Sequence, residues 1–261
     1  MKTVILCGGY GTRIRDVADD IPKPMIQIGP FPILWHIMKY YSEWKHREFV
    51  LCLGHKGHLI KDYFHNYDIR TQDFTLTLGR KKRITYHNRH RESDWKLTLA
   101  DTGNNAMTGA RVRQVRKYVR PDENFMLTYG DGVGDVNLDK LVKFHRAHGK
   151  MLTVTGVRPP GRFGELVSDA KGRVVEFNEK PQASGGRISG GFFVCRQGLF
   201  DYLDDRLDLV LENEPMRQLV KDSQMMVFEH DGFWHPMDTY RDYTLLNSLY
   251  NAGKAPWMIW K

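Results

Sequence analysis

The chain has 261 residues, 41% hydrophobic and 27% charged, with 39 Lys+Arg against 31 Asp+Glu for a formal net charge of +8. This length suits one large domain with a sizeable core, and the ordinary composition excludes disordered, collagenous and coiled-coil classes. The charge favours acidic partners: nucleic acid, anionic lipid or phosphorylated small molecules.

No apolar run is long enough for a membrane-spanning helix, and the run at Val4–Cys7 is too short for a signal-peptide core. Cys7, Cys52 and Cys195 are widely spaced, with neither zinc spacing nor a paired disulfide set. A reducing cytoplasm and no membrane partner are therefore expected.

In chain order, Val4–Leu6 reads as a buried strand ending in a glycine-rich turn. Ile33, Leu34, Ile37, Met38 and Tyr41 recur at helical spacing, which predicts a helix from Pro32 to Trp44. A strand at Phe49–Leu53 and a helix at His58–Tyr67 follow. Phe74–Tyr86 alternates like a hairpin. Further strands are expected at Lys96–Ala100 and Asn124–Tyr129, and helices at Met107–Val119 and Leu138–Ala147. Strand–helix alternation predicts an α/β fold, a Rossmann-like, mostly parallel sheet flanked by helices.

Beyond Lys150 the rhythm changes. Leu152–Val157, Leu166–Ser168, Val174–Phe177, Gly191–Cys195 and Met225–Glu229 read as strands, several of them additional antiparallel ones. Helices are expected at Leu199–Leu203, Pro215–Lys221 and Tyr240–Tyr250. Nothing marks a linker. A single domain over 1–261 is expected, with a nucleotide-binding part near 1–135 and a sugar-phosphate-binding and C-terminal part near 136–261. The basic stretch Arg80–Arg91 is either a solvated face, a phosphate-facing flap or a subunit contact.

Four features carry chemistry. Gly8-Gly9-Tyr10-Gly11-Thr12-Arg13 leaves the first strand. Glycines there let backbone amides approach a phosphate, and Arg13 adds a charged fork. Neither the dinucleotide fingerprint nor the Walker pattern is met. Pro22-Lys23-Pro24 stiffens the backbone around one ammonium. Tyr129-Gly130-Asp131-Gly132 ends a strand in a carboxylate, where open α/β sheets bind ligands. Such an Asp suits Mg²⁺ on a polyphosphate, though Asp-Gly also makes plain turns. Asp238 precedes the last helix and is either its cap or a second metal ligand. His55 and His58 lack a third ligand.

Together these residues resemble the sugar-1-phosphate nucleotidylyltransferase family. Asp101-Thr102-Gly103, Met107-Thr108-Gly109, Pro160-Gly161-Arg162-Phe163-Gly164, Glu179-Lys180-Pro181, Gly190-Gly191-Phe192-Phe193 and Gly253-Lys254-Ala255-Pro256-Trp257 extend the likeness across the chain. They are most similar to its glucose-1-phosphate cytidylyltransferase branch.

The resemblance implies transfer of CMP from CTP to a sugar 1-phosphate, most closely α-D-glucose 1-phosphate, with Mg²⁺ as cofactor and a homo-oligomeric enzyme. It implies nucleotide contacts from Leu6, Cys7, Gly8, Gly9, Gly11, Thr12, Arg13, Lys23, Thr108, Arg111, Tyr129 and Gly130. Glu179, Lys180, Ser189 and Gly190 would face the sugar phosphate. Asp131 and Asp238 would bind the metal, and Arg13, Lys23 and Asp131 would be catalytic.

Three positions depart from the family pattern: Ser189 stands for Asn, Ala110 for Gly, and Ala106 for a small polar residue. Other readings are a cytidylyltransferase for a different sugar or polyol phosphate and a non-catalytic nucleotide-sugar sensor. A nucleic-acid module lacks any recognisable motif, so no nucleic-acid partner is expected.

Overall fold

A computed structural model describes residues 1–10, 14, 20–79, 83–119, 123–159, 165–168, 173–178 and 186–260. The first strand, β1 (Thr3–Cys7), is wholly buried. A short 3₁₀ turn at Lys23–Met25 leads to the small ladder of β2 (Gln27–Ile28) and β3 (Phe31–Pro32) and then to helix α1 (Ile33–Glu43). β4 (Glu48–Leu53) lies parallel to β1. Helices α2 (Gly57–His65) and α3 (Tyr67–Thr71) replace the one expected helix, and they lead to the hairpin of β5 (Phe74–Thr77) and β6 (Arg83–Tyr86).

β7 (Lys96–Asp101) pairs parallel with β4. The helix expected over Met107–Val119 is divided at Val115 into α4 (Thr108–Gln114) and α5 (Arg116–Val119). β8 (Asn124–Tyr129) pairs parallel with β1 on its other side. Then come β9 (Gly132–Gly134), α6 (Leu138–His148) and β10 (Leu152–Val157). β11 (Glu165–Ser168) and β12 (Val174–Asn178) form their own antiparallel ladder.

β13 (Ile188–Ser189) and β14 (Phe193–Arg196) both run antiparallel to β10. The sequence pattern starts that last strand at Gly191. The structure starts it later because Gly191 has φ +77° and Phe192 φ +41°, a left-handed turn that cannot continue a pleated strand. A 3₁₀ turn at Gln197–Tyr202 stands where an α-helix was expected. The chain ends with α7 (Glu214–Lys221), β15 (Met225–His230), β16 (Trp234–Pro236) and α8 (Tyr240–Asn251).

The main sheet has the order β13-β10-β14-β8-β1-β4-β7, with β15 beside β10. The run β8-β1-β4-β7 is parallel, and strands from the second half extend it in mixed directions. Burial on both faces explains the unbroken apolar runs. Ile5, Cys7, Phe49, Leu51 and Met126 pack into one layer. Val4, Leu6, Val50, Cys52, Phe125 and Leu127 pack into the other. Helix α1 covers the first layer and α4 the second. The carboxyl ends of β1, β4, β7 and β8 therefore open on one edge, where the motif loops meet.

The β5–β6 hairpin is exposed along its length. Its register pairs Phe74 with Tyr86 and Leu76 with Ile84, so one face is apolar and the other carries Thr75, Thr77, Thr85 and Arg83. Arg80, Lys81 and Lys82 lie outside the described residues. No helix among the described residues is long and apolar enough to cross a membrane.

Candidate active site

A cavity of about 360 Å³ opens at the ends of β1 and β8. Leu6, Cys7, Gly8, Gly9, Lys23, Thr108, Arg111, Tyr129, Gly130 and Asp131 line it; all were singled out in the sequence. Tyr10, Asn104, Asn105 and Met107 line it too, and Tyr10 Oη donates to Asn105 Oδ1 at 2.8 Å. Gly11, Thr12, Arg13, Glu179 and Lys180 lie outside the described residues.

The glycine loop is shaped by Arg111. This side chain is 5% exposed. Its guanidinium donates to Leu53 O (3.1 Å), Thr102 Oγ1 (2.7 Å), Gly103 O (2.8 Å), Gly8 O (3.1 Å) and Asn104 O (3.2 Å). One planar fork thus ties together the exits of β1, β4 and β7. A Cβ on Gly8 would meet Arg111 Cζ at 2.2 Å, so glycine is required for this approach. Burial lowers the Arg111 pKa from its ordinary value. Burial likewise pushes the Cys7 thiol well up, which makes it a neutral wall and not a nucleophile.

Lys23 occupies the first position of the 3₁₀ turn, between Pro22 and Pro24. Its ammonium donates to Asp131 Oδ2 at 2.5 Å and also to Asp238 Oδ1. Burial alone would lower the lysine pKa, but the two carboxylates outweigh it and hold the group above its ordinary value.

The carboxylates come together through a ladder the sequence does not advertise. β9 pairs with β16 in the register Gly134–Trp234, Val133–His235 and Gly132–Pro236. Met237 N then donates to Asp131 O at 2.8 Å, which leaves Asp238 beside Asp131.

Asp238 is fixed from behind by Asp242. Asp242 Oδ2 accepts from Asp238 N at 3.1 Å and from Thr239 N at 2.8 Å, while its Oδ1 bonds His235 Nε2 at 2.8 Å. Thr239, not Asp238, is the cap of α8, in a reciprocal capping box with Asp242. Burial would raise the Asp242 pKa, but these bonds lower it to about 2.

Two acidic groups sharing one cation are a donor set that suits a hard divalent ion. Mg²⁺ commonly takes one or two carboxylates and completes its shell with water and substrate phosphate. Among the described residues no group of three or more metal-ligating side chains occurs.

Ser189 and Gly190 stand apart from the cavity wall. Ser189 is exposed at the end of the main sheet. Gly190 N donates to Thr155 O at 2.9 Å, and Trp234 Nε1 donates to Gly190 O at 2.7 Å. The turn is thereby tied to β16, the strand that delivers Asp238.

Sequence reasoning missed Glu212. It accepts from Thr108 Oγ1 at 2.6 Å and from Tyr129 Oη, two lining residues from distant parts of the chain. Nothing in the local pattern of 204–213 signals this.

Three comparisons place the chain. A protein from Salmonella typhi named glucose-1-phosphate cytidylyltransferase is 46% identical over 261 residues, all of both chains. A Bacillus subtilis relative is 41% identical over 262 residues, again covering both chains in full. The crystal structure of HddC from Yersinia pseudotuberculosis shares the fold at a TM-score of 0.66 and 22% identity, over 95% of this chain and 99% of that one. The model of the family described as nucleotidyl transferase matches residues 2–251, and the chain belongs to that family.

Proposed function

We propose that the protein transfers CMP from CTP to α-D-glucose 1-phosphate, forming CDP-glucose and releasing pyrophosphate. The observation that supports it most is Lys23 held between Asp131 and Asp238 at the mouth of the cavity, in a chain that matches a curated cytidylyltransferase from end to end.

The reaction needs no covalent enzyme intermediate. A phosphate oxygen of the sugar phosphate attacks the α-phosphorus of CTP, the bond to the bridging oxygen breaks, and pyrophosphate leaves. Catalysis of such a displacement rests on alignment and charge neutralisation. The cavity takes the nucleotide, with Gly8 and Gly9 allowing its phosphates close to the backbone. Lys23 turns its ammonium from the carboxylates toward a phosphate oxygen. Arg13 neutralises phosphate charge, Glu179 and Lys180 hold the sugar phosphate, and Ser189 with Gly190 flanks the sugar.

Asp131 and Asp238 would hold Mg²⁺, which when bound neutralises phosphate charge. The proposal includes a cytoplasmic location, where CTP and sugar phosphates are made. A homo-oligomer is the expected assembly, and neither membrane nor nucleic acid is required.

The test is pyrophosphate release measured for each nucleoside triphosphate against a panel of sugar and polyol phosphates. CTP with glucose 1-phosphate should be fastest. A faster polyol phosphate would replace the acceptor, and binding without pyrophosphate release would favour a sensor.

A further inference from the structure

We infer that Glu212 is a positioning residue that sets the width of the nucleotide cavity and links it to the sugar side; the inference rests on the transfer proposed above.

Glu212 is half-buried, in the segment between Leu203 and α7 that is anchored by the buried Leu209 and Leu211. That segment is stitched onto the start of α4 by its backbone. Met107 N donates to Leu207 O at 2.8 Å, Gly109 N to Leu209 O at 2.9 Å, and Ala110 N to Leu209 O at 3.2 Å. The amides of Met107, Gly109 and Ala110 at this helix start are therefore spent on protein carbonyls.

The Thr108 hydroxyl is committed in the same way. It accepts from Leu211 N at 3.0 Å and donates to Glu212 Oε2 at 2.6 Å. Tyr129 Oη donates to the other oxygen, Oε1.

One carboxylate thus spans two walls of the cavity, the first residue of α4 and the last residue of β8. Tyr129 also packs against the Ser189–Gly191 turn, which the proposed function puts beside the sugar. A Cβ on Gly191 would meet the Tyr129 ring at 3.0 Å, and Phe193 packs edge-on to that ring at 5.8 Å. Moving Tyr129 therefore moves the wall behind the Ser189–Gly191 turn. Glu212 need not touch substrate to act; it fixes where Thr108 and Tyr129 stand.

The experiment compares wild type with Glu212→Ala, Glu212→Gln, Tyr129→Phe and the Glu212→Ala/Tyr129→Phe pair. It measures both KM values, kcat, Tm, and triphosphate binding by calorimetry. Glu212→Ala should raise the triphosphate KM and Kd about tenfold, the loss of one charge-assisted bond, and raise the sugar-phosphate KM in step, with kcat little changed. Glu212→Gln keeps an acceptor and a donor and should recover most of this. Tyr129→Phe should cost nothing further once Glu212 is gone.

Unchanged KM and Kd in Glu212→Ala overturns the inference. So does full additivity with Tyr129→Phe, or a kcat loss that follows Tm and is not rescued by Gln. The triphosphate used is the one wild type binds tightest. A preference for another triphosphate than CTP would overturn the functional reading, while the ratios between variants still decide Glu212.

Discussion

Lys23 Nζ lies 2.5 Å from Asp131 Oδ2 and also bonds Asp238, so one ammonium joins carboxylates separated by more than a hundred residues of chain. In the free protein this lysine neutralises the pair that would hold the metal. Lysine and metal should therefore compete for the same oxygens.

Lys23→Met should lower kcat by at least about a hundredfold, as loss of a charged transition-state donor does. It should also tighten Mn²⁺ binding measured without nucleotide by electron paramagnetic resonance, since the competing cation is gone. The lysine pKa is raised, so its stabilising effect is complete below the ordinary value of 10.5 and is lost as pH rises through the raised value. Wild type and Lys23→Met should thus converge in Tm only above that pH. Equal Mn²⁺ affinity in the two proteins would remove the competition.

Asp131→Asn and Asp238→Asn should each abolish pyrophosphate release while circular dichroism shows a folded protein. Asn keeps the shape but loses the charge that would hold Mg²⁺. Chelation should silence wild type reversibly. Near wild-type turnover by either variant at saturating Mg²⁺ would strike that residue from the metal site.

Arg111→Lys should destabilise the protein by about 2–4 kcal/mol, because an ammonium cannot reach the carbonyls now shared by one fork and leaves buried acceptors unpaired. Denaturant unfolding measures this. A loss under about 0.5 kcal/mol, the ordinary surface effect, would mean that the three strand exits hold themselves.

Much of this was legible because burial writes itself into sequence. β1, β4 and β8 are buried on both faces, and each shows as an apolar run ending at a motif. The missing parts were those whose logic is not local. β9 is Gly-Val-Gly and β16 ends in proline, so neither has a strand pattern, yet their register brings Asp131 to Asp238. Glu212 is defined by a partner 83 residues away, and no spacing rule reaches that far. Asp238 reads locally as either a helix cap or a metal ligand; Thr239 takes the cap, and the Asp238 carboxylate bonds Lys23.

Asp242→Ala should lower Tm and slow turnover together. It removes the reciprocal cap, worth about 1 kcal/mol, and the acceptor that holds the Asp238 amide. The depressed pKa gives the sign: the stabilisation is present above the ordinary carboxylate value of 3.8 and is lost as pH falls through about 2. Acid unfolding of Asp242→Asn should therefore be shallower than that of wild type in this window. Identical acid profiles would show that His235 and Thr239 do not hold a charged Asp242.

Ser189→Asn should improve use of glucose 1-phosphate. Among the described residues Ser189 Oγ accepts a long bond, 3.5 Å from Gly191 N, and the residue is exposed at the mouth of the turn. Asn is the residue of the family pattern, and it offers two donors and a carbonyl where Ser has one hydroxyl. The backbone imposes no bar: Ser189 lies in β13, opposite Gly156, and the glycine-requiring turn begins only at Gly191. One added hydrogen bond to a neutral sugar hydroxyl is worth about 0.5–1.5 kcal/mol, so KM for glucose 1-phosphate should fall by roughly two- to tenfold with kcat unchanged. The measurement is steady-state pyrophosphate release by both forms over the panel of sugar phosphates. If glucose 1-phosphate is poor in both forms and Asn abolishes use of some other phosphate, then glucose is the wrong acceptor. The cytidylyl transfer itself would stand, because the proposal assigns Lys23, Asp131 and Asp238 to the phosphates and the metal and not to the sugar ring.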